Sequence, residues 1–251
     1  MSINFTRSLL AATAAAGVFA MVAATSASAA PSGYNWTGFY AGARAGMVAG
    51  DSDWSNIVVP SNTAENLAGT FATDKPNGAI VGLQGGYNFQ QDQLVFGVEG
   101  DLNIASASAS TLCIGNPSYG DFSAKCKTQV NWTGDLSARV GFTPVDRVLV
   151  YGKAGVAYVD SKFGPTDEKG FAPTTGYNMT SSNRWGYVLG VGADVAVTDR
   201  WSVGAEYNYQ DFGSKNVAFT PAGAVNAYNP PFFADTTLKL NSLVVKMNYR
   251  F

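Results

Sequence analysis

The stretch Trp201-Ser-Val-Gly-Ala-Glu-Tyr-Asn-Tyr-Gln210 decides the fold, because its side chains alternate in character along its whole length. Large or apolar side chains occupy its odd-numbered positions, and small or polar ones occupy its even-numbered positions. Only a β-strand, with its period of two, turns such a pattern into one apolar and one polar face. The same alternation recurs in residues 94–104 and 136–142. These stretches predict a protein built from amphipathic strands.

Eight segments with this alternation follow one another along the chain. They cover about residues 36–48, 77–89, 93–105, 128–142, 147–159, 184–198, 201–212 and 237–251. The connections between them alternate in length. Three are tight hairpin turns rich in turn-forming residues, at 90–92, 143–146 and 198–200. Four exceed 20 residues and collect Gly, Pro, Ser, Asn and Asp, at about 49–76, 106–127, 160–183 and 213–236.

Short turns at one end and long loops at the other are typical of outer-membrane barrels. Ten residues at about 3.3 Å each, tilted by about 40°, rise roughly 25 Å, which matches the apolar band of such barrels. A soluble lipocalin-type barrel would hold its apolar set inward, and eight strands cannot enclose so many aromatic rings. We therefore predict an all-β fold, an eight-stranded antiparallel up-and-down transmembrane β-barrel with short periplasmic turns and four long external loops.

Residues 1–29 are predicted to be a cleaved signal peptide, which leaves residues 30–251 as the outer-membrane β-barrel domain. Arg7 precedes an uncharged apolar stretch, and small residues end the segment at Ala29. This order is the secretory pattern. Cleavage after Ala29 is favoured, because cleavage one residue later leaves Pro31 at the first mature position. A membrane anchor is the alternative, but the apolar stretch is short for a spanning helix. The predicted location is the bacterial cell outer membrane, reached through the periplasm.

The charge content fits a protein whose surface is largely covered by lipid. Removing the signal peptide takes away one base, Arg7, and no acid, so that 15 basic residues face 18 acidic ones. This balance gives no electrostatic footprint for nucleic acid, and no nucleic-acid partner is predicted. Charged residues make up 14% of the chain, whereas a soluble domain carries about a quarter.

Aromatic residues are predicted to mark the two membrane surfaces. One group lies at the short-turn ends of the strands: Trp36, Phe39, Tyr40, Tyr87, Phe89, Phe142, Trp201, Tyr249 and Phe251. The other lies near the long-loop ends: Trp132, Tyr158, Trp185 and either Tyr209 or Phe212. Two rings of amphipathic aromatic side chains at headgroup level are expected of a transmembrane barrel.

The chain resembles a family of small outer-membrane barrels through four short stretches. They are Trp36-Thr-Gly-Phe-Tyr-Ala-Gly42, Gly85-Gly-Tyr-Asn-Phe89, Gly97-Val-Glu-Gly100 and Tyr249-Arg-Phe251. These resemble the OmpA-like, opacity-type eight-stranded barrels among the major outer-membrane proteins of alphaproteobacteria. The resemblance implies an abundant surface protein that stabilises the envelope, contacts outer-membrane lipid and lipopolysaccharide, and meets host or environmental surface ligands through its loops. Some members of the family are discussed as porins or haem binders.

The final strand carries a further expectation. Its outward set ends in Tyr249 and Phe251, and a terminal aromatic residue on an alternating strand resembles the assembly signal read by the barrel-insertion machinery. We therefore predict Phe251 as a C-terminal assembly signal, with that machinery as a partner during assembly.

The chain contains no histidine, which excludes catalytic pairs built on imidazole and weakens any His-ligated haem site. Carboxylates alone, such as Glu99 and Asp101, could support acidic protease chemistry, but we predict no enzyme, no catalytic residue, no metal site and no cofactor. Cys113 and Cys126 are the only cysteines, and an even pair in an exported protein is usually oxidised. We predict that they form a disulfide that staples the second external loop.

Ten charged residues are predicted to point into the barrel. They are Arg44, Glu99, Asp101, Asp135, Arg139, Lys153, Asp194, Glu206, Lys246 and Arg250. Unpaired charges are costly inside a narrow barrel, so five bases and five acids favour a paired network that plugs the interior. A gated ion path is the alternative interpretation.

The sequence therefore predicts a structural and interaction protein of the outer membrane, with surface loops and a plugged interior. A small porin for ions or other small solutes is the main alternative. A weaker alternative is ligand or haem capture through loop tyrosines such as Tyr119, Tyr177 or Tyr228.

Overall fold

The computed structural model describes residues 34–58, 67–116, 122–169, 177–221 and 231–251. The predicted signal peptide lies outside the described residues. These residues contain nine strands: β1 (Gly38–Val58), β2 (Leu67–Asp74), β3 (Asn77–Gln91), β4 (Leu94–Asn116), β5 (Phe122–Val145), β6 (Val148–Lys169), β7 (Thr180–Ala196), β8 (Trp201–Phe219) and β9 (Phe232–Arg250). Within the described ranges, no helix is long and apolar enough to cross a membrane.

The strands close into a ring of antiparallel neighbours. Each strand from β3 to β8 pairs with the next one along the chain, and β1 pairs with both β3 and β9. Strand β2 pairs with the same edge of β1 as β3, because Asp74 lies opposite Ser52 and Asn77 lies opposite Ala49. The two strands are thus one wall position interrupted at Pro76, which has no N–H to donate. Nine strands therefore build the predicted eight-stranded wall.

Tight turns join the strands at the periplasmic end, as predicted. Two residues, Asp92 and Gln93, separate β3 from β4, and Asp146 and Arg147 separate β5 from β6. Asp92 and Arg147 have positive φ angles of 54° and 70°. Positive φ angles are typical of short hairpin turns, because the twist of such turns matches the twist of the two strands that they join. These turns hold the lower ends of the barrel strands in register.

The strands extend well beyond the predicted segments at the opposite end. Strand β1 continues to Val58, β4 to Asn116 and β6 to Lys169, all within stretches predicted as loops. We call the part of the wall beyond the outer aromatic ring the upper section, and the part below it the lower section. The long connections are consequently shorter than predicted, because their Gly- and Ser-rich sequences keep a period of two.

Most of the predicted aromatic residues face outward. Phe39, Phe89 and Phe251 are exposed at the periplasmic end, and Trp132 and Trp185 are exposed at the other. Two of the predicted aromatic residues, Trp36 and Tyr40, are instead buried, and so is Phe212, one of the two alternatives given for the long-loop end. Tyr209, rather than Phe212, belongs to the outer ring, where its side chain pairs with the ring of Tyr187 at 6.2 Å between centroids. The inward position of Tyr40 matters for the interior.

Candidate functional site in the barrel interior

The charged residues predicted to point inward meet in the lower section. Nine of the ten form one connected set of ion pairs: Arg44, Glu99, Asp101, Asp135, Arg139, Lys153, Asp194, Glu206 and Lys246. We call this set the interior charge network. Arg250 lies apart from it at the periplasmic rim, where its guanidinium donates to the backbone carbonyl of Asp199 at 2.8 Å. The network has four bases and five acids.

Lys153 lies at the centre of the network. Its ammonium is 3.0 Å from Glu206, 3.3 Å from Glu99, 3.3 Å from Asp101 and 3.4 Å from Asp135. Oxygens of Glu99, Asp101 and Glu206 lie within 4.8 Å of one another, a spacing that could hold a metal ion. The lysine ammonium already bridges these three carboxylates, so the protein supplies its own cation to the group.

The three other bases connect the remaining wall positions. Arg139 donates to Glu99 at 2.9 Å and to Asp194 at 3.2 Å. Lys246 lies 3.1 Å from Glu206 and 3.3 Å from Asp194. The Arg44 guanidinium contacts Asp101 and is 3.0 Å from Glu206. All these side chains are almost fully buried, so each charge depends on its neighbours rather than on water. The network thus ties β1 to β4, β5 to β7, and β8 to β9.

Two tyrosines belong to the network and were not predicted. Tyr40 donates its hydroxyl to Glu99 at 2.7 Å, and Tyr151 donates to Glu206 at 2.6 Å. Their rings flank the Arg139 guanidinium, with centroid distances of 5.3 Å and 4.2 Å. Such cation–π contacts add to the ion pairs of a desolvated arginine. Their positions along the strands could have revealed them. Residues an even number of positions apart on a strand share a face, so Tyr40 lies on the same face as Arg44, and Tyr151 on the same face as Lys153.

Inward glycines make room for the polar side chains of the network. Five of them lie opposite an asparagine or aspartate on the neighbouring strand: Gly42–Asn248, Gly82–Asn103, Gly97–Asn88, Gly190–Asn208 and Gly204–Asp194. A Cβ at any of these glycines would collide with the side-chain oxygen of its partner. A side chain at Gly190 would also press on Lys153, whose Cγ lies 2.9 Å from the position of that Cβ. The crowding leaves little free space around the network.

Apolar side chains fill the interior of the upper section. The Trp54 ring contacts Phe219 and Phe163, with centroid distances of 5.3 Å and 5.7 Å, and Phe219 stacks on Phe232 at 4.9 Å. All four rings are buried. Arg184 is buried beside them, 4.7 Å from the Phe163 centroid, and is held by Thr236 and Ser182. This aromatic cluster was not predicted, because its residues fall within stretches read as loops.

The predicted cysteine pair falls on paired strands rather than in an irregular loop. Cys126 is buried in β5, opposite Thr111 of β4, and it is disulfide-bonded. The side chain of Cys113 lies outside the described residues, so its pairing with Cys126 stays a prediction. Tyr177 packs its ring against Phe232 at 5.1 Å, while Tyr119 and Tyr228 lie outside the described residues.

The last residue lies beside the first strand. The backbone N–H of Phe251 donates to the carbonyl of Phe39 at 3.0 Å. Its ring is 78% exposed and contacts Tyr249 edge-on at a centroid distance of 5.3 Å. Phe251 is thus part of the periplasmic aromatic ring, at the closure of the barrel.

A closed antiparallel ring with an apolar outer surface, two aromatic rings and a filled, charged interior defines a transmembrane β-barrel of the bacterial outer membrane. The chain belongs to the outer-membrane β-barrel family, since the family model described as "Outer membrane protein beta-barrel domain" matches residues 14–251.

Known proteins similar to the chain are consistent with this family. The chain is 30% identical over 221 residues to the 31 kDa outer-membrane immunogenic protein of Brucella melitensis, a match that covers 87% of this chain and 85% of that protein. It is 30% identical over 166 residues to the 22 kDa outer membrane protein of Rhizobium leguminosarum, covering 65% of this chain and 66% of the relative. Among solved structures, OprG from Pseudomonas aeruginosa matches with a TM-score of 0.53 at 17% identity, covering 86% and 97% of the two chains. That likeness concerns the fold alone.

Proposed function

We propose that this protein is a structural barrel of the outer membrane that stabilises the envelope and presents surface loops, with an interior closed to solutes. The observation that carries the proposal is the interior charge network, in which Lys153 alone contacts four carboxylates. An open channel needs charged side chains that water and ions can reach. Here Lys153, Glu99 and Glu206 are buried, and their charges are satisfied by one another.

A second barrier lies above the network. Trp54, Phe163, Phe219 and Phe232 fill the interior of the upper section with stacked rings. An ion that crosses this layer must give up most of its hydration shell among mainly aromatic side chains, which is unfavourable. The two layers act in series, and either one alone would strongly limit conductance.

Conductance of the purified wild-type protein in planar lipid bilayers tests the proposal. We expect no steady channel conductance, because both layers are closed in the folded barrel. The double variant Trp54→Ala/Arg139→Ala shortens one side chain in the aromatic layer and one in the interior charge network. It should raise the frequency of current steps. Steady wild-type currents of the size seen for open porins would refute the closed interior and favour the porin function.

We infer further that the protein has no catalytic role. The carboxylates that could act as acids or bases, Glu99, Asp101 and Glu206, are all bound by basic side chains. A catalytic carboxylate must reach a substrate, and these three are buried inside the barrel wall. A protease assay on a mixed peptide library, compared with a Glu99→Gln variant, tests this inference. Cleavage that the variant abolishes would contradict it.

We also propose that Phe251 serves as an assembly signal for the barrel-insertion machinery. Its exposed ring and its position beside Phe39 leave it accessible at the periplasmic end. Phe251→Asp should slow insertion of newly exported protein, whereas Phe39→Asp tests whether any charge at this rim has the same effect. Assembly levels in the Phe251 variant equal to those of the wild type would contradict the proposal.

A further inference from the structure

We propose that the interior charge network holds one proton on its two facing carboxyl groups, those of Asp101 and Asp135, so that the network carries no net charge. The bound species is a proton rather than a metal ion or another cation from solution. The inference deepens the proposed function and rests on it, because only an interior closed to water must balance its own charge.

The network is one negative charge out of balance. It contains four bases and five acids, because Arg250, the fifth base expected inside, lies at the periplasmic rim. The side chains of all nine members are no more than 2% exposed. A net charge that water cannot reach is costly, and a buried acid in this position takes up a proton instead. One acid of the network is therefore expected to be neutral.

No buried base elsewhere in the described part of the chain supplies the missing charge. Arg184 is the one other buried base there, and it belongs to the upper section. Its guanidinium donates to the Ser182 hydroxyl at 3.1 Å and to the Thr236 carbonyl at 2.6 Å, and it forms no ion pair with the network. The upper section also has a buried acid of its own, Asp74. The imbalance of the network thus has to be met within the network.

Asp135 is the acid whose charge is least compensated. Each of the other four acids forms ion pairs with two or three bases. Asp135 has Lys153 alone, at 3.4 Å, and that ammonium is shared with three other carboxylates at shorter distances. The Ser137 hydroxyl donates to the same oxygen, Oδ1, at 3.2 Å. Both contacts reach Oδ1, which leaves Oδ2 as the oxygen that can carry the proton.

Asp101 faces Asp135 across two adjacent strands. The two residues are register partners on β4 and β5, and their carboxyl groups are within reach of a side-chain hydrogen bond. Two ionised carboxylates placed in this way repel each other, whereas a single shared proton turns the repulsion into a hydrogen bond. Asp101 is the ionised member, because Arg44 and Lys153 both bind its Oδ2. The Asn103 amide donates to its Oδ1 at 2.5 Å.

The other charged groups of the network line the interior around this carboxyl pair. They are Arg44 on β1, Glu99 on β4, Arg139 on β5, Lys153 on β6, Asp194 on β7, Glu206 on β8 and Lys246 on β9. All seven form ion pairs within the network, and Lys153 is the one base among them that reaches Asp135. A second base is therefore not at hand to neutralise Asp135.

A small cation from solution is the alternative source of the missing charge. The three oxygens whose spacing could hold a metal ion belong to Glu99, Asp101 and Glu206, and Asp135 is not among them. The Lys153 ammonium already bridges these three carboxylates. A further cation would have to displace that ammonium, whereas a proton needs no additional room. The geometry accordingly favours the proton.

Infrared spectroscopy of the folded protein in lipid vesicles, with isotope-labelled aspartate carboxyls, tests for the protonated group. Asp74→Asn serves as the background, because Asp74 is the buried acid of the upper section. We expect the band of a protonated aspartic acid at neutral pH and its loss on adding Asp135→Asn. Sodium and choline buffers should give the same band. A missing band in sodium buffer, or a band that Asp135→Asn leaves in place, would overturn the proposal.

Urea unfolding of amide variants is a second measurement, with heat-modified mobility on gels as the check of folding. Asparagine has nearly the shape of a protonated aspartate and keeps a donor for Asp101, so Asp135→Asn should unfold at the same urea concentration as the wild type. The control Asp194→Asn removes a carboxylate that Arg139 and Lys246 both bind, and should unfold at a clearly lower concentration. Equal losses in the two variants, or an Asp135→Asn that does not fold, would contradict a neutral Asp135.

Bilayer conductance separates this inference from the proposed function. An ionised Asp135 in a barrel that does not conduct would refute the bound proton and leave the closed structural barrel standing. Steady currents through the wild type would refute the closed interior itself, whatever the infrared band shows.

Discussion

The lower and upper sections of the barrel are built by the same strands, yet their interiors have opposite chemistry. On β1 the inward residues are Arg44 in the lower section and Trp54 in the upper section, and on β6 they are Lys153 and Phe163. The outward faces are reversed in the same way, since Val156 faces lipid and Lys162 faces water. On β1 and β6 the two faces of the strand therefore exchange polarity where the strand leaves the membrane.

This reversal follows from the solvent on the outside of the wall. In the lower section lipid requires apolar side chains outside, and the polar side chains of an alternating strand must then face inward. In the upper section water accepts polar side chains outside, so that apolar side chains can be buried as in a soluble protein. Two different interiors result, one held by ion pairs and one by apolar contact, and each responds differently to mutation.

The largest expected effect is on the lower section. Arg139→Ala leaves Glu99 and Asp194 each without a guanidinium at hydrogen-bond distance, and should destabilise the barrel by about 4 kcal/mol. The double variant Arg139→Met/Asp194→Leu removes one charge of each sign and should cost clearly less. Urea unfolding of the protein folded in vesicles measures both. If the double variant is less stable than Arg139→Ala, the ion pairs contribute more to the stability of the fold than the burial of their charges costs.

Trp54→Ala should have a smaller effect, confined to the upper section. Removing a buried tryptophan that contacts Phe163 and Phe219 leaves a cavity, at a cost of about 3 kcal/mol. Hydrogen exchange should then rise in upper-section amides and remain slow beside the interior charge network. Trp201→Ala, which removes a lipid-facing ring, is the control. Equal exchange in both sections would mean that the two interiors unfold as one unit.

The polarity reversal also explains which features could be predicted from the sequence. The period of two holds over most of each strand in the lower section, so this section, its turns and its closure into eight wall positions were predicted. Because each strand was interpreted with one fixed apolar face, the predicted segments end where the faces exchange, near Val48 on β1 and Val159 on β6. The aromatic cluster around Trp54 was consequently assigned to loops.

The alternation of side-chain direction along each strand similarly determined how well the interior was predicted. It placed Lys153 and Glu206 in the interior without any knowledge of register, because side-chain direction alternates strictly along a strand. The same rule was not applied to the two inward tyrosines: Tyr40 was assigned to the periplasmic aromatic group, and Tyr151 was given no position. Which base contacts which acid depends on the register between strands and on contacts across the barrel. Neither can be derived from one strand at a time.

The disulfide predicted between Cys113 and Cys126 should affect the upper section alone. A loop of this size gains roughly 3 kcal/mol from closure in the chain-entropy model. Because β4 and β5 are already paired below Thr111, the crosslink should protect their upper ends from proteolysis and leave the lower section nearly unchanged. Thiol labelling of unreduced protein checks the bond itself. Stoichiometric labelling of both cysteines would contradict it.

The smallest expected effect concerns Asp74, whose carboxylate is buried in the upper section and accepts a hydrogen bond from Thr128 at 2.9 Å. Burial raises the pKa of Asp74 above its usual value, although the hydrogen bond from Thr128 opposes the shift. The folded state then holds this proton more tightly than the unfolded state does. The contribution of Asp74 to stability is therefore full below about pH 4 and is lost as the pH rises through its folded pKa.

Asp74→Asn removes the titration and keeps an acceptor for Thr128, so the upper section should become less sensitive to rising pH. Asp235→Asn is a control of opposite sign, because hydrogen bonds from Asn56 and Asn216 lower the pKa of Asp235. Stability from Asp235 is present at neutral pH and is lost as the pH falls. Proteolysis of the upper section in a urea series at several pH values distinguishes the two variants. If both shift the pH dependence in the same direction, burial does not control the charge of Asp74, and the apolar character inferred for the upper interior would need revision at that position.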